Sequence, residues 1–279
     1  MTFRDKIIVD LGRYKKNVLC ISEPGIYKYR GKEYKKDHIL PAGESNKRLN
    51  ILKPYRDAFF QDKHSKISFH KYFNHLNSSQ ALCINLFYPL LKEGNTNVIL
   101  GCLNMLQDIK EYAFEKESPL ECTLRNERKT NFDFYMHSGS NADIYFEIKY
   151  TEGGFGKVKN DKEHKKKFEF TYEKLLKNNR YIRNEFKNMD SFFSHYQILR
   201  NLIHLQNNSA VVFLFPKKNK RVNDQAIFAR DTILNAGGRK FFHIIYLEDF
   251  VDCIQANIKA PDLITHYTQF RDKYLKYAI

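Results

Sequence analysis

Asp133, Glu147 and Lys149 are the residues whose types and spacing suit chemistry in this chain, and all three lie in residues 131–152, NFDFYMHSGSNADIYFEIKYTE. Two carboxylates brought together hold a divalent cation such as Mg²⁺ through oxygen ligands. A cation so held polarises a phosphodiester and lowers the pKa of a bound water. A lysine beside it orients that water and offsets the charge that builds on the phosphorane. The three residue types therefore suit phosphodiester hydrolysis, provided that the chain brings them onto one face.

The surrounding pattern does so. Phe132, Phe134 and Met136 alternate with Asn131, Asp133, Tyr135 and His137; Ala142, Ile144, Phe146 and Ile148 alternate with Asp143, Tyr145, Glu147 and Lys149. Period 2 predicts two strands, each with an apolar and a polar face. If Gly139–Asn141 form a three-residue loop, Ser138 pairs with Ala142 and Asp133 lies opposite Glu147. Lys149 then follows on the same face. Glu-x-Lys triplets are common in a lysine-rich chain, and Glu33/Lys35, Glu127/Lys129, Glu163/Lys165 and Glu185/Lys187 are others. The triplet at 147–149 differs because it ends an alternating strand with an Asp in register on the preceding one.

Asp133 followed by Glu147-Ile148-Lys149 resembles the signature of the PD-(D/E)xK nuclease superfamily, with Phe132 where a proline often precedes the Asp. Tyr150-Thr151-Glu152 and the Gly153–Gly156 loop resemble a bacterial restriction-endonuclease-like subgroup. So do Asn77-Ser78-Ser79-Gln80-Ala81-Leu82, Asn85-Leu86-Phe87, and Tyr196-Gln197 with Arg200-Asn201. The resemblance spans roughly residues 68–250. It implies an α/β fold in which a mixed central sheet is flanked by helices in the order αβββαβ. It also implies Mg²⁺ on Asp133 and Glu147 with the Ile148 carbonyl as a further ligand, and Lys149 activating water. Gln80 and Gln197 would be additional site residues, and many relatives act as homodimers.

Composition agrees with a nucleic-acid partner. The 279 residues carry 47 Lys and Arg against 32 Asp and Glu, a net charge of +15. Such an excess draws polyanions. Lys165, Lys166 and Lys167, in the lysine-rich stretch 157–187, and Arg200 are candidate DNA-backbone contacts, with a solvated helix as the plain alternative. Hydrophobic residues at 42% and aromatics at 15% support a folded chain rather than a disordered one. Five cysteines with wide spacings and no Cys-x-x-Cys suggest neither a zinc ribbon nor a disulfide framework. With no signal-peptide core and no transmembrane-length apolar run, a cytoplasmic protein without membrane contact is expected.

Several further elements are predicted. Residues 78–92 read as a buried helix capped at Ser78 or Ser79, and 96–116 as a second helix. Residues 119–125 read as a first strand, with Glu121 a possible addition to the site. A helix is expected over 190–206, buried strands over 209–215 and 240–247, and helices over 223–236, 248–257 and 261–277. Residues 1–65 form a basic extension, either packed on the core or acting as a DNA-binding arm, and 66–279 the nuclease-like domain. The expected function is that of a Mg²⁺-dependent endonuclease of restriction type acting on double-stranded DNA, accompanied genetically by a cognate DNA methyltransferase. A non-catalytic DNA-binding module on the same scaffold, or a repair or recombination nuclease selective for DNA structure, are the alternatives.

Overall fold

A computed structural model describes residues 1–105, 108–122 and 128–276. The chain packs as two compact units, Met1–Leu106 with Leu247–Ile279, and Gln107–Tyr246.

The second unit is built on a five-stranded sheet: β3 (Ile109–Glu117), β4 (Asn131–Ser138), β5 (Asp143–Ile148), β6 (Ser209–Phe215) and β7 (Phe242–Tyr246), side by side in that order. β3, β4 and β5 run antiparallel, whereas β5, β6 and β7 run parallel. The mixed, helix-flanked α/β architecture matches the expected core. The continuous apolar run SAVVFLF of β6 is buried at every position, as a central parallel strand requires.

The β4–β5 hairpin has the register read from the sequence. Phe134 faces Phe146, Tyr135 faces Tyr145, Met136 faces Ile144 and His137 faces Asp143. The Ser138 amide donates to the Ala142 carbonyl at 2.9 Å, closing the loop. The expected contrast of a greasy and a wet face is not met, because both faces are covered. Tyr135 and Tyr145 are buried with Phe168, Tyr172, Phe192 and Phe213 in one apolar cluster.

Three other expectations change. The first strand of the sheet is Ile109–Glu117, within the span read as helix 96–116; only Thr96–Cys102 is helical there. No strand forms at 119–122, and 123–127 lie outside the described residues. The span 190–206 is two helices, Met189–Ser194, capped by Asn188, and Tyr196–Leu202, with the break at His195. β3 was hidden because its sequence IKEYAFEKE is an edge strand with charged outward positions, which depress the strand signal.

The first unit is mainly helical. Helices Phe3–Asn17, Lys53–Gln61, Ser79–Lys92, Thr96–Cys102, Leu247–Asn257 and Pro261–Tyr274 are joined by a hairpin of β1 (Gly25–Tyr29) and β2 (Lys32–Lys36). Ser78 caps Ser79–Lys92 through the Ala81 amide, as expected. Buried Asn85 accepts from the Leu52 amide and donates to the Asn50 carbonyl and the Tyr274 hydroxyl. Cys102 and Cys253 form a disulfide with Cα atoms 5.8 Å apart. This corrects the expectation, drawn from the wide spacings, of no disulfide framework. A separation of 151 residues leaves no local spacing to betray the pair.

Candidate active site

Asp133 is on β4, Glu147 on β5, and Lys149 one residue past the end of β5. The hairpin register, carried one step beyond Phe134 and Phe146, sets Asp133 across from Glu147. The Ile148 amide donates to Asp133 Oδ2 at 2.7 Å, fixing the carboxyl against the neighbouring strand. Lys149 Nζ lies 2.6 Å from Glu147 Oε1, and both side chains are buried. Phe155 lies under the ammonium, with its ring centroid 5.5 Å away.

Helix Tyr196–Leu202 completes the surroundings of Glu147. Gln197 Nε2 donates to Glu147 Oε1 at 2.8 Å, and Asn201 Nδ2 donates to Oε2 at 3.0 Å. Positions four apart share a helix face, so one helix addresses both oxygens. Gln197 Oε1 accepts from the Gly156 amide, and the Gln197 amide donates to the Gly156 carbonyl, both at 3.0 Å. The carboxamide thus joins the glycine loop to the carboxylate. Gly154 is required in that loop. Its φ is +133°, and a Cβ there would stand 2.5 Å from Gln225 Oε1, which accepts from the Phe155 amide.

Negative charge is in surplus. Burial, then the charge of Glu147 and then that of Glu115, raise the Asp133 carboxyl well above the ordinary carboxylate range. Burial alone would lower the Lys149 ammonium. The carboxylates of Glu147, Glu152 and Asp133 outweigh it and raise its pKa. Glu115 stands on β3 between the pairs Phe114–Phe134 and Lys116–Phe132, with a left-handed backbone of φ 54°. A non-glycine residue held there stores strain beside the carboxylates.

The donor chemistry suits a hard divalent cation. A carboxylate offers about four acceptor positions. Lys149 and Gln197 take two on Oε1 of Glu147 and Asn201 takes one on Oε2, so Oε2 retains a lone pair. Among the described residues no group of three or more His, Cys, Asp or Glu forms a metal cage. A divalent cation that binds through one or two carboxylates and keeps waters and phosphate oxygens as its other ligands would fit such a donor set.

The remaining candidates have other partners. Arg200 pairs with Glu121. Its Nη2 is 3.6 Å from Glu121 Oε2, and its guanidinium lies over the Tyr196 and Tyr172 rings. Glu121 accepts from the Thr130 amide and hydroxyl and from the Tyr172 hydroxyl, a set of partners separate from those of Glu147. Lys165 and Lys166 are exposed on helix Lys162–Lys167, while Lys167 donates to the Arg128 carbonyl at 2.7 Å. Gln80 belongs to the first unit, where its carboxamide accepts from the His70 amide and donates to the Ser68 carbonyl. Asn201 and Glu115 were not read as site residues. The signal for Asn201 was present, since it follows Gln197 by one helical turn; Glu115 had none, because its strand was read as helix.

A mixed sheet with an Asp, a Glu and a Lys converging on the hairpin defines a restriction-endonuclease-like α/β protein. Residues 9–275 match the family model REase-ARP, described as "Restriction Endonuclease associating with ARP". The chain belongs to that family. No curated protein and no solved structure matches it. Among the described residues no helix is long and apolar enough to cross a membrane.

Proposed function

We propose that this chain is a Mg²⁺-dependent endonuclease of restriction type that hydrolyses phosphodiester bonds in double-stranded DNA. One observation carries the reading: a buried lysine ammonium 2.6 Å from a buried glutamate, with a second carboxyl across the strand. Such a cluster is costly to keep. A surplus carboxylate in a desolvated place lowers stability unless a cation is its partner.

Asp133, Glu147 and the Ile148 carbonyl would hold the metal. Bound there, it supplies the positive charge that polarises the phosphate and acidifies the attacking water. The chain's own groups do the rest. The Ile148 amide fixes Asp133, and Gln197 and Asn201 fix Glu147, so neither carboxylate must reorganise. Lys149 stays protonated and presents a donor to the water and to the charge developing on the phosphorane. Lys165 and Lys166 supply phosphate contacts. Gln80 is retained as a proposed site residue, Arg200 as a residue that positions helix Tyr196–Leu202, and Lys167 as a weaker phosphate contact.

A restriction role implies a cognate DNA methyltransferase to protect host sites, and two active sites in a homodimer to cut both strands. The association with ARP named in the family description is extended to this chain on the same footing.

The test is incubation of the purified protein with plasmid and phage DNA in Mg²⁺ or in EDTA, beside Lys149→Ala and Glu147→Ala. Discrete Mg²⁺-dependent fragments, absent from both variants, are expected. Salt-sensitive binding without cleavage of any duplex would replace this reading with a non-catalytic binding module. Cutting confined to flaps or junctions would replace it with a structure-selective nuclease.

A further inference from the structure

The β1–β2 hairpin of the first unit has a composition and a turn that its packing does not explain. Every residue of β2 is exposed, and in β1 only Gly25 is buried. An isolated two-stranded ribbon is barely stable, and this one touches its unit through the half-buried Tyr27 ring. It is anchored at its base, where the Gly25 amide donates to the Ile39 carbonyl at 3.0 Å and a Cβ on Gly25 would meet Ile39 Cγ2 at 2.4 Å. From there it carries Lys28, Arg30, Lys32, Lys35 and Lys36 against Glu33 and Asp37.

Its register sets Tyr27 across from Tyr34 and Tyr29 across from Lys32. One face therefore presents Tyr27, Tyr29, Tyr34, Lys32 and Lys36. Tyr27 packs against Tyr72 and His75, with ring centroids 5.8 and 5.9 Å apart, whereas Tyr29 and Tyr34 stay 49% and 41% exposed. Arg30 lies over the Tyr29 ring and Lys36 over the Tyr34 ring, at 5.2 and 6.0 Å. Cations already cover these rings, so the face offers positive charge rather than bare stacking platforms.

The turn points the same way. Arg30 and Gly31 have φ of 47° and 74°, the two-residue turn whose central positions are both left-handed. Asn, Asp or Gly is favoured at the first of these. An arginine there is strained, and it stands at the tip of the ribbon. At the base, a groove of about 610 Å³ is lined by Arg13, Lys15, Lys16, Lys35, Lys36 and Asp37 among others. His38 also lines it, and its buried Nδ1 has no hydrogen-bond partner among the described residues.

We infer that the β1–β2 hairpin is a DNA-contacting ribbon, separate from the lysines of residues 165–167. Arg30 enters a groove of duplex DNA, and Lys32 and Lys36 on one face of the ribbon and Lys35 on the other lie on the phosphates flanking it to either side. The major groove of B-form DNA admits a two-stranded β-ribbon, and an arginine is the side chain best fitted to a guanine edge. The partner is duplex DNA because the surface is cationic and ribbon-shaped; the narrow major groove of an RNA duplex would refuse it. This rests on the nuclease reading only for the expectation that DNA is the substrate.

The experiment is a salt titration of full-length protein binding a labelled DNA duplex in EDTA, comparing the parent with Lys32→Ala/Lys35→Ala/Lys36→Ala and with Arg30→Asn. Each lost phosphate contact lowers the slope of log affinity against log salt by about 0.9, so the triple variant should lose about 2–3. Arg30→Asn suits the turn, so its melting temperature should hold or rise while affinity for duplex falls by about 5-fold or more. Unchanged slope and affinity in both variants overturn the inference. So do absent binding by the parent, tighter binding to the single strand than to the duplex, or a loss in Arg30→Asn that follows a fall in melting temperature. Plasmid cleavage by the same proteins separates the two readings. Hairpin-dependent binding by a parent that never cleaves sinks the nuclease reading alone; cleavage by a parent whose hairpin variants bind normally sinks this one alone.

Discussion

Glu121 and Glu147 are two buried glutamates of one unit, each met by residues of helix Tyr196–Leu202, yet they have opposite electrostatic settings. Glu121 is matched: the Arg200 guanidinium supplies one positive charge, and Thr130 and Tyr172 supply neutral donors. Glu147 is also well hydrogen-bonded, by Lys149, Gln197 and Asn201. There, however, one ammonium faces two carboxyl groups, and burial first, then the charges of Glu147 and Glu115, raise the Asp133 pKa. On the proposed reading, burial and hydrogen bonding do not separate a structural carboxylate from a chemical one in this protein. The charge left over does. A neutralised carboxylate has finished its work when the chain folds, whereas a surplus one is stable only with a further partner.

The comparison breaks or sharpens under substitution. The largest effect is expected at the surplus site. Lys149→Ala or Glu147→Ala should lower the single-turnover cleavage rate by about 10³-fold or more with near-parental folding, measured on plasmid with circular dichroism alongside. Next is the matched site. Glu121→Ala leaves the Arg200 charge buried and unpaired, so it should cost about 3–5 kcal/mol in urea denaturation, while the folded fraction cleaves at close to the parental rate. A Glu121 variant that is stable but inactive would dissolve the distinction. Gln197→Ala should be milder. It removes one of three donors to Glu147 and frees the glycine loop, and loss of such a supporting contact weakens metal affinity or activity about 10–100-fold. Titration of Mg²⁺ against rate should show part of that loss recovered at high metal.

Much of this contrast was legible in the sequence, and the unread part has a common cause. The hairpin was readable because Asp133 and Glu147 sit in two strands whose alternation and three-residue loop fix the register without any tertiary information. Gln197 was readable through its motif. Glu121 and Glu147 could not be sorted, since the sorting depends on Arg200 and Tyr172, which only the fold brings to Glu121. β3 was unread because a lysine- and glutamate-rich edge strand resembles a helix surface in pattern, and Glu115 was lost with it. The Cys102–Cys253 pair lay beyond local reach for the same reason: it depends on helix Thr96–Cys102 meeting helix Leu247–Asn257.

The smallest effect is the most direct measure of surplus charge. A carboxyl whose folded pKa is raised binds its proton more tightly in the folded chain than in the unfolded one. Its contribution is therefore favourable at low pH and is lost as pH rises from the unfolded value near 3.9 through the raised folded value. Above that window the ionised Asp133 opposes folding until a cation arrives. Asp133→Asn should then raise the melting temperature of the metal-free protein at neutral pH by about 3 °C, while it abolishes cleavage. Near pH 4 the gain should vanish, because the parent is protonated as well. Addition of Mg²⁺ or Ca²⁺ should stabilise the parent increasingly as pH rises through the same window and leave Asp133→Asn nearly unmoved. Equal metal-induced shifts in both proteins, or a lower melting temperature for Asp133→Asn throughout, would mean that Asp133 is as fully neutralised by its neighbours as Glu121 is, and the distinction between the two sites would have to be drawn on other grounds.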